Sequence, residues 1–521
     1  MPATADNTDT PPPSARWIAP LEIALLLAVF SFQAGWPAPD VNEPHYLGKA
    51  RHFWDPAWAA GDFFFESSDT HRVFYLTCGW PSHWLSLPHF AWCGRLVSWL
   101  LLAVSWQRLC RAVVGRPGWA VPAGALFLAL NVGCHLAGEW VVGGFEAKGL
   151  AYALVFAGLA AVIRDRWNTA FLLFGAASAL HVLVGGWSAL AAAFCWLVSA
   201  DAPPLARLWP GLLGGALLAL LGIVPALELN WGVDTQLVAE ANDIYVFRRL
   251  PHHLVPESLR WPFLLRFLLM VLVWLALTVR RNDHRPLRKL ESFVVAALAI
   301  SFAGMLLSQL TANVPETKAA ILRYYWFRLA DVMVPVGIAL AAVTGWSATS
   351  RARRGAKFAW QAAGWLAVCA ALVAYGQVDY AGCGGFQNVP RADKKVLDHA
   401  DWRDVCQWMG DHTPSGALAI TPRMAQTFTW YAGRGQVVSW KDLPQDAEAV
   451  VRWWQRLEDI HGMPHPEYQG RWHESLTELS PRRLRELGRR YRADYLVVEA
   501  EPPLELPRLY ANGSYCVYKL D

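Results

Sequence analysis

The sequence predicts a mainly α-helical membrane protein: a polytopic helix bundle of about 11 spans, followed by a C-terminal α/β extracytoplasmic domain. The first observation is an uneven distribution of charge. Residues 377–521 contain 38 Asp, Glu, Lys and Arg residues, about 26% of that segment, whereas the first 376 residues contain 50, about 13%. Ordinary soluble domains have about 25% charged residues, so only the C-terminal segment has a soluble composition. The second observation is a succession of apolar runs through the rest of the chain.

The charge balance also excludes one class of partner. The net charge of +4 over 521 residues supplies no dense basic stripe that could replace phosphate counterions, so we expect no nucleic acid. Residues 1–16 are polar and proline-rich, which predicts a disordered tail. We therefore predict a tail at 1–16, a membrane region at 17–376 with lipids around it, and an external domain at 377–521.

Eleven apolar runs have the composition of membrane spans. Several are shorter than the roughly 20 residues that a straight span requires, so some should be half-buried or form hairpins. The pair within 168–199 is interrupted at 181–187, where two glycines indicate that the chain folds back. The runs are 17–34, 90–106, 118–137, 149–163, 168–183, 185–199, 209–227, 262–279, 291–309, 329–346 and 358–376.

Basic residues give the orientation of these spans, because Lys and Arg concentrate in short cytoplasmic loops. With the N-terminus inside, every predicted inner loop contains arginine. The long segment 35–89, the segment 138–148 and the C-terminal domain then lie outside.

The external domain alternates helical and extended patterns, which predicts an α/β fold. Ser480 and Pro481 have the residue types of an N-cap and a first helical position. Further helices are predicted at 401–411, 424–431 and 446–460, and strands at 417–421, 436–440, 494–499 and 515–519.

The segment 35–89 is far longer than a connector, and long ordered loops are usually functional. It begins with Glu43 and His45, a few residues beyond the first span and therefore at the depth of lipid phosphates. Residues 47–54 then predict an amphipathic helix along the membrane interface. Two interpretations of Glu43 are open: a base or metal ligand, or an acid that stabilises the start of a helix at Pro44.

The order of these features resembles the GT-C superfamily of membrane glycosyltransferases. The resemblance consists of a first span, a loop acid, Glu43, followed by Tyr46, an interfacial helix ending at Asp55-Pro56, many further spans and an external domain. It implies transfer of a sugar from a polyprenyl-phosphate donor at the outer face of a bacterial inner membrane. Many members have two adjacent acids where this chain has Asn42 and Glu43.

A second resemblance involves three short pieces of the external domain. The pieces 421–423, 431–434 and 440–442 resemble an uncharacterised family of large bacterial membrane proteins. That resemblance implies no established reaction.

Glycosyl transfer requires a base for the acceptor hydroxyl, and positive charge or a metal for the departing phosphate. We expect Glu43 and Asp69 to be catalytic. The GT-C resemblance implies that Glu146 or Glu139 faces Glu43 across a cavity, and that Glu43 and Glu146 bind a divalent cation such as Mg²⁺ or Mn²⁺. Asp69 and His71 could share a metal on an extended segment, or be held by the hydrogen bonds of their own loop. Glu146 and Lys148 have the alternative of a polar pair at the end of a span.

Several further residues are predicted to bind substrate. Arg328 and Asp331 lie one helical turn apart, and a central Arg or Asp costs ~2.5–3.5 kcal/mol in a membrane, so they should face a polar cavity or each other. Arg323 and Arg328 suit a lipid-linked phosphate, or alternatively an internal ion pair. His181 interrupts an apolar run and has either a role or a single hydrogen bond to a neighbouring helix. The predicted substrate-binding residues are His45, His71, His181, Arg323, Arg328 and Asp331.

Three functions remain open at this level: a GT-C-type glycosyltransferase, a transporter, and a non-catalytic membrane protein whose external domain binds a partner. A transporter is disfavoured because the chain has no inverted repeat and its polar residues cluster at one surface instead of the midplane. The asparagine before Glu43 favours the non-catalytic protein somewhat.

Overall fold

The computed structural model describes residues 17–279, 284–352, 389–463 and 470–520. Within these ranges, five helices are long and apolar enough to cross a membrane, and five further apolar helices are shorter. The longer ones are Leu87–Val114, Leu205–Glu228, Trp261–Thr278, Arg285–Leu310 and Arg328–Ala352. The shorter ones are Ile18–Ala34, Ala120–Gly133, Ala147–Ile163, Trp167–Leu180 and Val182–Val198.

These helices occupy ten of the eleven predicted positions and share one apolar core. The eleventh predicted span, 358–376, lies outside the described residues, as does the predicted tail at 1–16. The predicted mainly α membrane bundle is confirmed, and the chain is an integral membrane protein. The boundary between the membrane region and the C-terminal domain stays a prediction, as does the outer location after which that domain is called the external domain.

The predicted fold-back between two short helices is a single break at His181. Its backbone is extended, with φ −148° and ψ 99°, between Trp167–Leu180 and Val182–Val198. Gly185 lies inside the second helix, where a Cβ atom would be 2.1 Å from the backbone nitrogen of Ser178. Only glycine allows the two helices to approach so closely, and this approach brings His181 to the end of the hairpin.

The segment 35–89 is mostly helical and supports the external domain. The predicted interfacial helix begins earlier than expected, at Glu43, and ends at Trp54 as predicted. The backbone nitrogen of Gln436 donates to Asp62 Oδ2 at 3.0 Å, and that of Thr70 donates to Gln445 Oε1 at 3.0 Å. Further helices in this segment are Phe63–Glu66, Arg72–Cys78 and the 3₁₀-helix Trp80–His83.

Other short elements lie on the same side of the bundle as this segment. They are the helices Thr235–Asp243, Pro251–Leu254 and Pro315–Leu322, the π-helix Ile244–Arg249 and the 3₁₀-helix Pro256–Ser258. Residues 134–146 contain no helix and connect two bundle helices.

The external domain has a five-stranded sheet. Its strands are Leu418–Ile420 (β1), Gly435–Gln436 (β2), Tyr495–Glu499 (β3), Arg508–Ala511 (β4) and Tyr515–Lys519 (β5). They lie in the order β2-β1-β3-β5-β4, with β1 parallel to β2 and β3, and β5 antiparallel to β3 and β4. The helices are His399–His412, Phe428–Ala432, Ala447–His461 and Pro481–Tyr491, with 3₁₀-helices at Arg391–Asp393 and Leu476–Glu478.

The predicted α/β pattern is confirmed, with two differences. Strand β4 was not predicted, because its side chains are mostly exposed and show no apolar alternation. The predicted strand 436–440 pairs only at its first residue. The rest of that segment leaves the sheet and carries Trp440 and Lys441 toward the membrane helices.

Candidate functional site

A polar cavity of about 160 Å³ lies where the bundle, residues 134–146 and the external domain meet. We call it the central cavity. It is lined by Asn42, Tyr46, Ala137, Gly138, Glu139, Trp140, Glu146, Lys148, His181, Leu250, His253, Tyr325, Arg328 and Lys441.

Three cations and two carboxylates face this cavity. Lys148 Nζ is 3.6 Å from Glu146 Oε1 and 3.8 Å from Glu139 Oε2. Arg328 Nε is 3.1 Å from the same oxygen of Glu139. Lys441 supplies the third positive charge, so the cavity has one more cation than it has carboxylates.

Asp331 positions the wall that carries Glu139. Its carboxylate accepts hydrogen bonds from the backbone nitrogens of Leu136, Ala137 and Glu139 at 2.5, 2.9 and 3.2 Å. Arg328 and Asp331 were predicted to face a polar cavity or each other, and the structure gives a different answer for each residue. Arg328 pairs with Glu139 in the cavity, whereas Asp331 binds the backbone behind it and does not line the cavity.

Two predicted histidines stand beside Arg328. Arg328 Nη1 donates to His181 Nε2 at 3.0 Å, so His181 carries its ring proton on Nδ1. That Nδ1 atom is buried and has no hydrogen-bond partner among the described residues. The ring centre of His71 is 5.4 Å from that of His181, and its Nε2 is 3.3 Å from the hydroxyl of Tyr46. Only His181 of these two histidines lines the cavity.

Lys441 comes from the external domain and was not predicted as a site residue, although it lies in the piece 440–442 that resembles an uncharacterised family. Its ammonium group makes no hydrogen bond or ion pair with any described residue. Burial, together with the positive charge of Arg249, lowers the pKa of Lys441 to about 8. The signal for Lys441 in the sequence was its place between an aromatic anchor and an acid, but no local pattern indicates which cavity it reaches.

The neighbours of Lys441 fix its position. Arg249 Nε donates to the carbonyl oxygen of Trp440 at 3.0 Å. Asp442 accepts from Ser439 Oγ at 2.5 Å, and its other oxygen is 3.6 Å from His45 Nδ1. His45, which was predicted to bind substrate, therefore contacts the external domain and does not line the central cavity.

Glu43 does not line the central cavity and forms a buried ion pair with Arg95. Arg95 Nε and Nη2 donate to the two carboxylate oxygens at 2.7 and 2.6 Å. The backbone nitrogens of Asp40 and Phe145 donate to the same carboxylate at 2.7 and 2.8 Å. Because four hydrogen bonds occupy its oxygens, Glu43 has a structural place here and not that of the predicted base. Arg95 was missed because it lies within an apolar run, although a charge inside a span is itself a signal.

The predicted metal pair does not form an ion-binding arrangement. Glu43 and Glu146 border a gap of about 10 Å³, which is room for about one water molecule. Gly144 closes this gap, since a Cβ there would lie 2.9 Å from Glu43 Cγ. Arg95 and Lys148 already neutralise the two acids. The described residues include no cluster of three His, Cys, Asp or Glu side chains that could hold a metal ion, so these residues do not fit the predicted Mg²⁺ or Mn²⁺.

Asp69 lies in a separate cavity of about 270 Å³, beside Lys49 and Arg72. It accepts from the backbone nitrogen of His71 at 2.6 Å and from the hydroxyl of Tyr75 at 2.9 Å. Burial opposes its charge, but Lys49 and His71 outweigh burial and lower the pKa of Asp69. These contacts match the second interpretation of Asp69, a loop held by its own hydrogen bonds. Asp69 does not line the central cavity.

Arg323 also lies apart from the central cavity. Its Nη1 donates to Asn242 Oδ1 at 2.6 Å. Of the predicted residues, the structure therefore brings together Glu146, its alternative Glu139, His181 and Arg328. It places Glu43, His45, Asp69, His71, Arg323 and Asp331 outside the cavity lining.

Comparison with known proteins gives one matching family model and several similar solved structures, of which two are described here. A domain of unknown function, DUF6798, matches residues 400–460, which include Arg423 and Lys441. No curated protein matches the chain. Arabinofuranosyltransferase AftD from Mycobacteria matches with 16% identity and a TM-score of 0.47, over 97% of this chain and 41% of that one. Oligosaccharyltransferase AglB from Archaeoglobus fulgidus, solved with an inhibitory peptide and a dolichol-phosphate, matches with 11% identity and a TM-score of 0.44, over 93% and 70% of the two chains.

This chain spans about two fifths of the length of the arabinofuranosyltransferase. Because both TM-scores are below 0.5, no substrate or residue role is transferred from either protein.

Proposed function

We propose that this protein is a membrane glycosyltransferase that binds a polyprenyl-phosphate sugar in the central cavity. It transfers the sugar to an acceptor hydroxyl at the outer face of a bacterial inner membrane. The observation that carries the proposal is Lys441, a cation that the external domain inserts into a polar cavity at the end of a membrane bundle, where its ammonium group makes no hydrogen bond or ion pair with any described residue.

The cations of the cavity suit the phosphate of a lipid-linked donor. Arg328 is held in place by Glu139 on one side and His181 on the other. Fixed positive groups in a water-poor site stabilise the charge that develops on a leaving phosphate. Lys441, whose ammonium group makes no ion pair within the described part of the chain, gains a direct anionic partner when a donor phosphate is bound.

Glu146 is the best candidate for the base. Glu139 lies closer to cations, because Arg328 and Lys148 both approach one of its oxygens. Glu146 accepts from Asn42 Nδ2 at 3.0 Å, and Lys148, at 3.6 Å, is the one cation that forms an ion pair with it among the described residues, so its carboxylate is the more available of the two.

The proposed transfer of the sugar requires only the donor, the acceptor and side chains that line the cavity. Glu146 takes the proton of the acceptor hydroxyl, whose oxygen then forms a bond to the anomeric carbon. The bond from that carbon to the phosphate oxygen breaks, and the polyprenyl phosphate leaves with the electron pair. Arg328 and Lys441 stabilise this anion.

One observation favours a second function, a non-catalytic protein whose external domain binds a partner. The loop acid Glu43, which the GT-C resemblance assigns as base or metal ligand, is fully occupied by Arg95 and backbone amides. If the reaction required Glu43 itself, the structure would describe an inactive member.

A transfer assay in membranes tests the proposal. Membranes that contain the chain are incubated with radiolabelled polyprenyl-phosphate sugars, and labelled products are counted. We expect product from the wild type, none from Glu146→Gln, and wild-type amounts from the control Arg323→Gln. Equal product from the wild type and Glu146→Gln would exclude the assigned base, and no product from any chain would favour the non-catalytic protein.

A further inference from the structure

A second cavity, of about 250 Å³, lies in the external domain. It borders the segment that follows β1, which carries Arg423, and the end of β3, which carries Glu499. Strands β1 and β3 are parallel neighbours, while β2 lies on the other side of β1. The cavity is therefore at the carboxyl ends of parallel strands where the strand order reverses, which is where open α/β sheets bind ligands.

Polar atoms without partners surround this cavity. His461 is only 3% exposed, and its Nε2 atom has no hydrogen-bond partner among the described residues. Arg423 Nε and His473 Nε2 are likewise buried and unpartnered in the described parts of the chain. Buried polar groups are nearly always hydrogen-bonded, so three such atoms around one cavity indicate that a ligand completes them.

The rest of the lining restricts the chemistry of that ligand. Glu499 accepts from Ser475 Oγ at 2.6 Å and offers a carboxylate at the cavity, so acceptors stand opposite the donor Arg423. The half-buried indole of Trp472 also lines the cavity, with the Arg423 guanidinium 5.2 Å from its ring centre. A carboxylate disfavours a simple anion, whereas mixed donors and acceptors beside an aromatic ring suit the hydroxyls and C–H faces of a sugar.

The second cavity is adjacent to the central cavity through one dipeptide. Trp440 packs against Trp472 with ring centres 5.5 Å apart, and Arg423 lies 5.5 Å from the Trp440 ring. The next residue, Lys441, lines the central cavity. A glycan bound at Arg423 would thus be separated from the donor site by the width of this segment.

We propose that the second cavity binds one sugar unit of a glycan, through Arg423, His461 and Glu499. The binding itself is independent of glycosyl transfer. Its identification as a site for the acceptor glycan rests on the proposed function.

The test is binding of the detergent-purified full chain to a printed array of neutral and uronate oligosaccharides. We expect the wild type to be retained on at least one oligosaccharide. The isosteric variant Glu499→Gln and the variant His461→Leu should be retained at least tenfold less. The control is Arg482→Gln, in the same domain, whose side chain is 90% exposed; it should be retained like the wild type. Melting temperatures identify any variant that fails to fold, and Glu499→Gln then decides alone.

Two results would overturn the proposal: no retention of the wild type on any oligosaccharide of the array, or equal retention of the wild type and Glu499→Gln. The variant Glu146→Gln separates the two proposals, since it should lose transfer and keep its retention on the array. If the wild type is retained on the array but transfers no sugar, the proposed function alone is wrong. Transfer without retention would sink the glycan site alone.

Discussion

Two buried ionic clusters lie side by side in this protein, and they differ in how completely their polar atoms are satisfied. In the Glu43–Arg95 cluster, four hydrogen bonds occupy the carboxylate, and the two side chains are 1% and 0% exposed. In the central cavity, and within the described residues, the Lys441 ammonium makes no ion pair, and His181 Nδ1 and Glu139 Oε1 have no hydrogen-bond partner. The difference teaches that a buried acid near the expected site is not evidence of catalysis by itself. Chemistry is expected where polar groups are left open.

The largest effect should come from disrupting the Glu43–Arg95 cluster. Arg95→Met leaves Glu43 buried without its cation, and removal of one partner from a buried pair costs about 3–5 kcal/mol. We expect a large loss of thermal stability and of folded protein in membranes, measured by melting of the detergent-purified chain.

The double variant Glu43→Leu/Arg95→Leu is the control, because it removes both charges and should recover part of that stability. A single variant Arg95→Met that melts like the wild type but loses transfer would instead give Arg95 a role in the reaction.

The next largest effect should come from the cations of the central cavity. Arg328→Gln and Lys441→Gln remove charge that is expected to bind donor phosphate. Hydrogen bonds to charged groups contribute about 1.5–3 kcal/mol, so the KM for the lipid-linked donor should rise about 10–100-fold. Kinetic measurements over a donor titration check this, and Lys441→Gln should melt at the wild-type temperature or above it. A fall in kcat with an unchanged KM would contradict phosphate binding by these residues.

A smaller effect follows from the lowered pKa of Lys441. The folded protein holds this pKa at about 8, below the usual value of about 10.4, so the ammonium is charged below pH 8 and loses its proton as the pH rises through 8. Donor affinity should therefore decline between about pH 7 and 9, measured as kcat/KM against pH. Lys441→Met should have lower kcat/KM at pH 7 and no step near pH 8. A step of the same size in Lys441→Met would assign the titration to another group.

The smallest effect concerns the contact between the segment 35–89 and the external domain. Gln445 Oε1 accepts hydrogen bonds from both the backbone nitrogen and the hydroxyl of Thr70. Gln445→Ala should weaken this contact by about 1 kcal/mol. We expect faster amide hydrogen exchange in residues 68–71 and little change in the bundle. Unchanged exchange at these residues would show that the contact does not hold the segment.

The sequence predicted the elements of this fold better than it predicted the site. Apolar runs and the Ser480-Pro481 helix start are local patterns, and the structure confirms them. The cavity is assembled from segments more than 250 residues apart, such as Lys148 and Lys441, and no local pattern relates them. Arg328, His181 and Glu146 could be found because ionisable residues near membrane helices are costly. That same cost does not distinguish a cavity residue from Asp331, which binds backbone amides, or from Glu43, which binds Arg95.

The most direct test of the central claim is lipid analysis of the protein purified from bacterial membranes in mild detergent. Extracted lipids are examined by mass spectrometry for the wild type, for Arg328→Gln/Lys441→Gln and for the matched control Arg323→Gln. We expect a polyprenyl phosphate or its sugar conjugate with the wild type and the control, and at least tenfold less with the double variant. Equal amounts in all three proteins, or none in the wild type, would contradict donor binding in the central cavity.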